Sequence, residues 1–513
     1  MLIKLFNSNF ALSLFAALSL ILPVRAQTGS SEAWMTTASK RMEKQAVQAL
    51  TNTNKASTLL TLNTEQTYQK IDGFGWMLNQ GSAKLLMQLP ADTRRSLIEE
   101  LYGRKGLNAS IVRVAIGACD LSESDYTYAD SKDETLSNFA IANQDLKTVV
   151  PVLQEILSIN PNVKVLALPW TAPTWMKSGA SWTNAYIGGS LKSEYYSLYA
   201  DYFCKYIDAM AEWNIPVWGV SVQNEPLNGH NNPSMTWTKE NMYKFVAGSL
   251  GPKLKEKGHA DVRIIAYDHN CDVTDFPIHV AASKYVYGTA FHLYAGDISA
   301  LKTVYNSTGK PVLFTEQYTG KDGDFYGDFS WHIQNIVLGA VNNFATTVIE
   351  WNLCSDPNYS IHTAGGCTTC KGALTVNSSS LSSRNVSYYI IGHISRVVDP
   401  GARRIGIASS AGSLTYAAFA NPDGTYGVVM YSDTDSPRSA AVAFKDADTG
   451  ETMYAPCTIP GRGVTSLRIT PASVTALKQT SLPAPLIHKK LLNGQLLIER
   501  NGVLYTVTGT KVK

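Results

Sequence analysis

Two glutamates are the residues of this sequence best suited to chemistry, because each directly follows a short apolar run. Glu225 follows the run 217–222 within Gln223-Asn-Glu-Pro226, and Glu316 follows the run 312–315. A pair of carboxyl groups, one protonated and one ionised, is what hydrolysis of a glycosidic bond requires. A single glutamate after a strand is more often a helix cap or an ion-pair partner. The elements that carry the two residues therefore decide between these interpretations.

Eight β-rich apolar runs alternate with segments of helical period. Most of the runs are continuous rather than alternating, which is typical of parallel strands buried on both faces. Eight repeats of this kind predict an α/β protein whose residues 71–384 form a (β/α)8 TIM barrel. A doubly wound open sheet is the alternative, but it should carry a Gly-rich phosphate loop after its first strand, and none occurs. The runs are 71–78, 110–116, 163–169, 217–222, 263–267, 287–293, 312–315 and 347–351.

The barrel places the two glutamates at the ends of its fourth and seventh strands, which face each other across the barrel mouth. Reacting groups of such barrels lie at the C-terminal ends of the strands. Carboxyl groups there can lie about 5–5.5 Å apart, the separation typical of a retaining, double-displacement glycosidase. Asn224, next to Glu225, can donate to the 2-hydroxyl of a sugar. Arg113 lies within the second strand, where it can fix the nucleophile as a charged carboxylate, form a buried structural ion pair, or do both.

Other strand ends carry side chains that suit a sugar. Asp120 follows the second strand, and its carboxylate can accept hydrogen bonds from hydroxyl groups. The rest are His292 and the rings of Trp170, Tyr294 and Trp351, which close the third, sixth and eighth strands. Any one aromatic residue is more often part of a core, but convergence on one barrel face favours sugar binding for most of them.

The segments on either side of the predicted barrel have a different sequence pattern. Beyond residue 385, short β-rich runs are separated by turn signals such as Asn421-Pro-Asp-Gly424. This pattern predicts a β-sandwich over 385–475, to which the N-terminal segment 27–70 can add a strand at 58–64. The last residues, 476–513, are either a further hairpin or a tail that addresses the protein for export or surface retention.

The first 26 residues have the features of a signal peptide. Lys4 precedes an apolar run at 10–22, and small residues surround a cleavage site near Ala26-Gln27. We expect an exported protein (periplasmic, cell-surface or secreted); a membrane anchor is the competing interpretation, although the run is short for a span. The formal net charge is only +3, without the basic run of a nucleic-acid surface. We expect a polysaccharide or oligosaccharide substrate, no nucleic-acid partner and no further membrane span.

Among the seven cysteines, only Cys367 and Cys370 are close enough to suggest local pairing. In an exported protein a structural disulfide is the favoured interpretation. A zinc site would need two more ligands, and no matching CxxC or HxxxH motif occurs. The predicted chemistry needs two carboxyl groups and water, so neither a metal nor an organic cofactor is implied.

In combination, these motifs resemble glycoside hydrolase family 30, the family of lysosomal glucosylceramidase and of microbial β-1,6-glucanases. The resemblance covers residues from about 58 to about 475 and implies a barrel with a β-sandwich built from both of its flanks. It implies that Glu225 is the acid/base and Glu316 the nucleophile. It also implies that Asp120, Trp170, Asn224, His292, Tyr294 and Trp351 bind the −1 sugar. The matching stretches are Gly73-Phe-Gly75, 111–120 with 126–130, 168–177, Gln223-Asn-Glu-Pro226, 291–294, Thr315-Glu316 and Glu350-Trp-Asn352.

Two departures bear on the substrate. Leu293 stands where glucosylceramidase-like members have a tryptophan, and the Cys367–Cys370 loop after the eighth strand resembles the β-1,6-glucanase branch. We therefore expect an endo-β-1,6-glucanase. The alternatives are a glucosylceramidase-like β-glucosidase and a surface glycan-binding protein without catalysis. Xylan-cleaving relatives usually depart from the pattern at 119–130.

Overall fold

The structure is a computed structural model that describes residues 29–474 and, as backbone alone, the strands Ile487–Leu492, Gln495–Arg500 and Val503–Thr506. The predicted signal peptide at 1–26 lies outside these residues. Within the described part of the chain, no helix combines the length and the apolar character that a membrane span needs.

Eight parallel strands close into a barrel, which confirms the predicted fold class. Their central residues are fully buried because one side faces the barrel interior and the other faces the helices. Each predicted apolar run coincides with one strand to within a few residues, and only the fifth and sixth strands extend well beyond it. In chain order the strands are Gly73–Met77, Ile111–Ala115, Lys164–Leu168, Val217–Ser221, Arg263–Cys271, Val286–Gly296, Val312–Glu316 and Ala345–Glu350.

Helices surround the barrel and bury one face against it. Tyr196–Glu212 shows the rule: Tyr199, Phe203, Tyr206 and Met210 are buried at helical spacing. The α-helices between strands are Gln80–Gln88, Ala91–Tyr102, Asn143–Lys147, Val149–Ile159, Tyr196–Glu212, Lys239–Phe245, Gly251–Glu256, Asp275–Ala281, Ala300–Thr308, Phe325–Trp331 and Gly339–Asn342. A π-helical segment, Val246–Leu250, joins Lys239–Phe245 to Gly251–Glu256, and a second, His332–Leu338, joins Phe325–Trp331 to Gly339–Asn342.

A ten-stranded sheet curls around a second core and forms the β-sandwich. Both flanks of the barrel contribute, as the family resemblance implies. The strand Thr58–Lys70 pairs with Arg403–Ser409 and Arg438–Lys445, and Ser30–Thr36 pairs with Gly463–Thr470. The remaining strands are Glu43–Lys44, Gln48–Ala49, Leu414–Ala420, Tyr426–Ser432 and Thr452–Ile459.

The junction of the two domains contains a helix that the sequence pattern did not predict. Val386–Ser395 lies inside the range expected to hold only strands. It packs on the first barrel strand, where the indole of Trp76 donates to the hydroxyl of Ser387 at 3.1 Å. Beyond residue 476, the three C-terminal strands pair as one antiparallel sheet.

Candidate active site

A cleft of about 540 Å³ opens at the C-terminal ends of the barrel strands. Six side chains predicted for a sugar site line it. They are Asp120, Trp170, Glu225, Tyr294, Glu316 and Trp351. Asn224 and His292, which were also predicted to bind the sugar, are buried and do not line the cleft in the described chain. Their contacts run to the other polar residues of the site.

The two predicted catalytic glutamates face each other across this cleft. Oxygens of Glu225 and Glu316 and a ring nitrogen of His292 lie within 4.8 Å of one another. Inverting glycosidases separate their carboxyl groups by about 6.5–9.5 Å, so that a water fits between carboxylate and sugar. The nearest oxygens of the two glutamates are closer than this range, which agrees with the shorter separation of about 5–5.5 Å in retaining enzymes.

The backbone after the fourth strand turns sharply to present Glu225. Its φ of 48° lies in the left-handed region, which costs a non-glycine residue about 1–2 kcal/mol. Hydrogen bonds on both sides hold the turn: the N–H of Asn224 donates to the carbonyl of Pro169, and the N–H of Glu225 donates to that of Asp268. The fourth strand is thereby fixed to both neighbours at the point where it delivers the carboxyl group.

Arg113 joins the polar residues beneath the cleft. The guanidinium is fully buried and donates to Oε2 of Glu316 at 2.5 Å, to Oδ1 of Asn224 at 2.7 Å and to Oδ1 of Asp268 at 3.3 Å. Tyr294 donates to the other oxygen of Glu316 at 3.1 Å. Both oxygens of Glu316 are thus oriented by donors, and the two interpretations of Arg113, structural ion pair and support for a catalytic carboxylate, apply to the same contacts.

His292 is fully buried between three carboxyl groups. Its Nε2 lies 2.9 Å from Oδ1 of Asp268, and its Nδ1 lies 3.2 Å from Oε1 of Glu225 and 3.6 Å from Oε1 of Glu316. Asn228 donates to the other oxygen of Glu225 at 2.8 Å. Each oxygen of Glu225 therefore has a polar neighbour, and Oε1 of Glu316 has two, Tyr294 and His292.

These neighbours shift the pKa values of Glu225 and His292 in opposite directions. Burial raises the pKa of Glu225, but the hydrogen bond and charge of His292 outweigh it and lower that pKa to about 2. Burial lowers the pKa of His292, but the charge of Glu316 and the bonds to Asp268 and Glu225 raise it to about 9. In the unliganded protein at neutral pH, His292 is a cation and Glu225 a carboxylate.

Asp120 has the opposite protonation. Burial, and then the negative charges of Glu316 and Glu225, raise its pKa to about 8. Its Oδ1 is buried and has no hydrogen-bond partner among the described residues. At neutral pH this carboxyl group is mostly protonated, and one oxygen remains free for a hydroxyl group in the cleft.

Two tryptophans form the apolar side of the cleft. The rings of Trp170 and Trp351 lie 5.6 Å apart, and the guanidinium carbon of Arg113 lies 5.2 Å and 5.9 Å from their centroids. Rings tilted in this way offer a face to the C–H side of a sugar. The positive charge of Arg113 also lies within reach of both π faces.

The cysteine loop forms part of the same wall. Cys367 and Cys370 are joined by a disulfide, line the cleft and pack beside Trp351. A short antiparallel pairing, Thr319–Gly320 with Cys370–Lys371, ties this loop to the segment that follows Glu316. The loop that distinguishes this sequence therefore contacts the cleft directly.

The cluster of Glu225, His292 and Glu316 also has the spacing of a metal site. Its chemistry argues against a cation there, because Arg113 already places a positive charge on Glu316 and His292 is itself protonated at neutral pH. The arrangement fits proton transfer and attack by a carboxylate better than metal binding.

Several residues of the site were missed from the sequence. Asp268, His269 and Asn270 directly follow the predicted fifth run, so the same strand-end rule could have identified them. Tyr318 lies two residues beyond Glu316 and also lines the cleft. No local signal identifies Asn228, whose contact with Glu225 depends on the path of the loop.

Two family models match this architecture. The model of the glycosyl hydrolase family 30 TIM-barrel domain matches residues 71–398, and that of the family's β-sandwich domain matches residues 401–467. The chain belongs to glycosyl hydrolase family 30. It is a glycoside hydrolase, and both the predicted family and the predicted enzyme class are confirmed.

The similar proteins with known names are either endo-1,6-β-glucanases or glucosylceramidases. The chain is 32% identical over 393 residues to an endo-1,6-β-D-glucanase of Aspergillus fumigatus, an alignment that spans 71% of this chain and 78% of that protein. It is 27% identical over 443 residues to the lysosomal acid glucosylceramidase of Mus musculus, spanning 80% and 84%. A solved endo-β1,6-glucanase structure shares 33% identity and a TM-score of 0.77, covering 85% of this chain and 99% of that one.

Proposed function

We propose that this protein is a retaining endo-β-1,6-glucanase, with Glu316 as nucleophile and Glu225 as acid/base. The observation that carries the mechanism is the approach of the two carboxyl groups across the cleft, where atoms of Glu225, His292 and Glu316 lie within 4.8 Å. That spacing suits direct attack on the sugar by a carboxylate, as in retaining glycosidases, better than the wider separation of inverting enzymes.

The assignment of roles follows from the neighbours of each glutamate. Glu316 accepts from Arg113 and Tyr294, two donors that orient a charged nucleophile towards the anomeric carbon. Glu225 is joined to His292, the one group of this cluster that can supply it with a proton. In the first step Glu316 attacks, Glu225 gives its proton to the leaving oxygen, and a covalent glucosyl ester forms. In the second step Glu225 takes a proton from water as the water oxygen attacks the anomeric carbon. The ester bond to Glu316 breaks, and the sugar is released with its original anomeric configuration.

The remaining residues have supporting roles in this proposal. Asp120, Trp170, Tyr294 and Trp351 line the cleft and hold the −1 sugar through its hydroxyl groups and its apolar ring face. Asn224 lies buried next to Glu225 and is the proposed partner of the 2-hydroxyl. Arg113 donates to Asn224 as well as to Glu316, so it orients the nucleophile and the proposed partner of the 2-hydroxyl together. No role for a metal or an organic cofactor enters this chemistry.

The proposed substrate rests on the cysteine loop and on the relatives. The disulfide of Cys367 and Cys370 forms part of the wall of the cleft. Leu293 follows His292 at the position where the family resemblance implies a tryptophan in glucosylceramidase-like members. The named β-1,6-glucanases share more identity with this chain than the named glucosylceramidase does.

Purified enzyme should therefore be tested on pustulan, a linear β-1,6-glucan, beside glucosylceramide and a β-1,4-xylan. We expect a ladder of oligosaccharides from pustulan and little product from the other two. Cleavage of the lipid without the glucan would replace the proposal by the glucosylceramidase alternative. Binding of pustulan with no product from any substrate would favour the glycan-binding alternative.

We also propose that the protein is exported and that residues 1–26 are removed. A disulfide such as Cys367–Cys370 persists in an oxidising compartment, which supports export. N-terminal sequencing of protein isolated from its native source should begin at Gln27. A first residue at Met1 would contradict cleavage.

A further inference from the structure

Asp268 is a fully buried carboxylate of the site that neither contacts the cleft nor takes part in the chemistry described above. Its Oδ1 accepts from Thr315 at 2.7 Å and from Arg113 at 3.3 Å, and it lies 2.9 Å from Nε2 of His292. The backbone of Asp268 has a φ of 59°, and its neighbour Tyr267 has a φ of 73°. Such strain is retained where a side chain must point in one direction.

These contacts restrict what the imidazole of His292 can do. An ionised Asp268 can only accept, so Nε2 of His292 must carry its hydrogen in every state in which this bond exists. Arg113 and His292 both lower the pKa of Asp268, against the effect of burial, so the carboxylate is ionised at neutral pH. The other nitrogen, Nδ1, faces Glu225 and is the only one free to gain or lose a proton.

We propose that Asp268 makes His292 a proton reservoir for Glu225, by holding the Nε2–H of the ring so that only Nδ1 exchanges a proton with the carboxylate. The inference rests on the proposed acid/base role of Glu225. The exchange is balanced: Nδ1–H and the Glu225 carboxylate become a Nδ1 lone pair and a carboxylic acid, at the 3.2 Å distance already present. The acid then gives this proton to the glycosidic oxygen as its bond to the anomeric carbon breaks.

The reservoir explains why an acid catalyst is ionised in the unliganded protein. The charge of Glu316 is the largest influence that raises the pKa of His292. When Glu316 bonds to the sugar, that charge disappears and the ring no longer retains its extra proton, so the proton moves to Glu225 at the moment the leaving group needs it. After the second step the charge returns, and Nδ1 recovers its proton from Glu225.

The groups that face His292 come from several elements. Asp268 and His269 lie on the fifth strand, Glu225 lies after the fourth and Glu316 ends the seventh. Tyr294, from its own strand, has its ring centroid 6.1 Å away. The proton exchange between His292 and Glu225 should therefore respond to removal of one of these charges. Asp268 is the one among these neighbours that does not line the cleft.

The first experiment follows the nitrogens of His292 by ¹⁵N-histidine NMR of the full chain, with the signals assigned from a His292→Gln variant. We expect both nitrogens to be protonated near neutral pH, and only Nδ1 to lose its proton as the pH rises through about 9. A neutral ring at pH 7, or a neutral form protonated on Nδ1, would overturn the proposal. This readout needs no substrate, so it stands even if the enzyme does not cleave β-1,6-glucan.

The second experiment compares pH profiles of kcat/KM on pustulan for wild type, Asp268→Asn and Thr315→Val. Asp268→Asn keeps the size and an accepting oxygen but removes the charge that helps His292 hold its proton. The alkaline limb should move to lower pH by one unit or more, whereas Thr315→Val, which keeps the charge, should leave the limb in place. A uniform loss of rate in Asp268→Asn with an unmoved limb would reduce Asp268 to a structural residue. If Asp268→Asn does not fold, the protonation of the two His292 nitrogens in the wild type, measured by NMR, tests the proposal alone.

Discussion

Replacement of the proposed acid/base is the most informative perturbation of this site. Glu225→Gln keeps the length of the side chain, but its amide cannot give up a proton, and its NH₂ group must face one of two donors, Asn228 or His292. General acid catalysis contributes about 10²–10⁴-fold, which corresponds to roughly 3–5 kcal/mol in the barrier. We expect a loss of this size in kcat/KM on pustulan, whose leaving group is a sugar alkoxide.

An activated substrate separates this effect from damage to the site. A 2,4-dinitrophenyl β-glucoside has a leaving group that needs little protonation, so its first step in Glu225→Gln should remain within about tenfold of wild type. The second step lacks its base, so stopped-flow records should show a burst, and azide should restore turnover and yield β-glucosyl azide. Equal losses on pustulan and on the activated substrate, without rescue by azide, would refute the assigned role.

A matched control is available at another strand end. Glu350 is also a buried glutamate that ends a barrel strand, and it lies 2.7 Å from Nδ1 of His332 outside the cleft lining. Glu350→Gln makes the same chemical change without touching the proposed machinery. Its activity on pustulan should fall by less than tenfold, and thermal unfolding should verify that both variants are folded.

Three further predictions concern the groups around the two glutamates. Arg113→Met leaves Glu316 and Asp268 buried without their cation, so denaturant unfolding should show a loss of about 3–5 kcal/mol; unchanged stability would contradict a buried ion pair. Reduction of the Cys367–Cys370 disulfide should lower the free energy of unfolding by about 2 kcal/mol, the contribution expected for so short a closed loop. Calorimetry with and without reductant tests this loss, and an unchanged Tm would contradict a stabilising disulfide. The folded state keeps the proton of Asp120 until about pH 8, whereas the unfolded chain releases it near the ordinary aspartate pKa of 3.8. Stability should therefore fall as the pH rises across this window, by up to about 1.4 kcal/mol per pH unit. Asp120→Asn should remove that fall, and its Tm advantage over wild type should grow from pH 4 to 8; a constant difference would contradict the raised pKa.

The barrel could be predicted because each strand is a continuous apolar run, and the rule that polar residues at strand ends converge identified both glutamates. Arg113 could be found in the same way, since a charge within a buried strand requires a partner. His292 was predicted to bind sugar, but its burial between three carboxyl groups depends on contacts between its own strand and three others. The residues around His292 are far apart in sequence, so no local sequence pattern predicts its environment.

The fifth strand shows a second limit of sequence reasoning. Its apolar run ends at Tyr267, but the strand continues to Cys271 through the two left-handed residues Tyr267 and Asp268. An aspartate adopts this conformation more often than most residues, but a tyrosine seldom does, so the sequence indicates the turn only weakly. The helix Val386–Ser395 was missed because its apolar residues continue on nearly all sides, which obscures the helical period.

The central claim is that Glu225 and Glu316 form a retaining pair, and the configuration of the first product tests it most directly. Purified enzyme should be added to pustulan in deuterated buffer and the anomeric protons followed by ¹H NMR from the first seconds, before mutarotation. The separation of the two carboxyl groups predicts that the β-anomer of the new reducing end appears first, with the α-anomer growing later. Initial appearance of the α-anomer would mean inversion and would contradict the account.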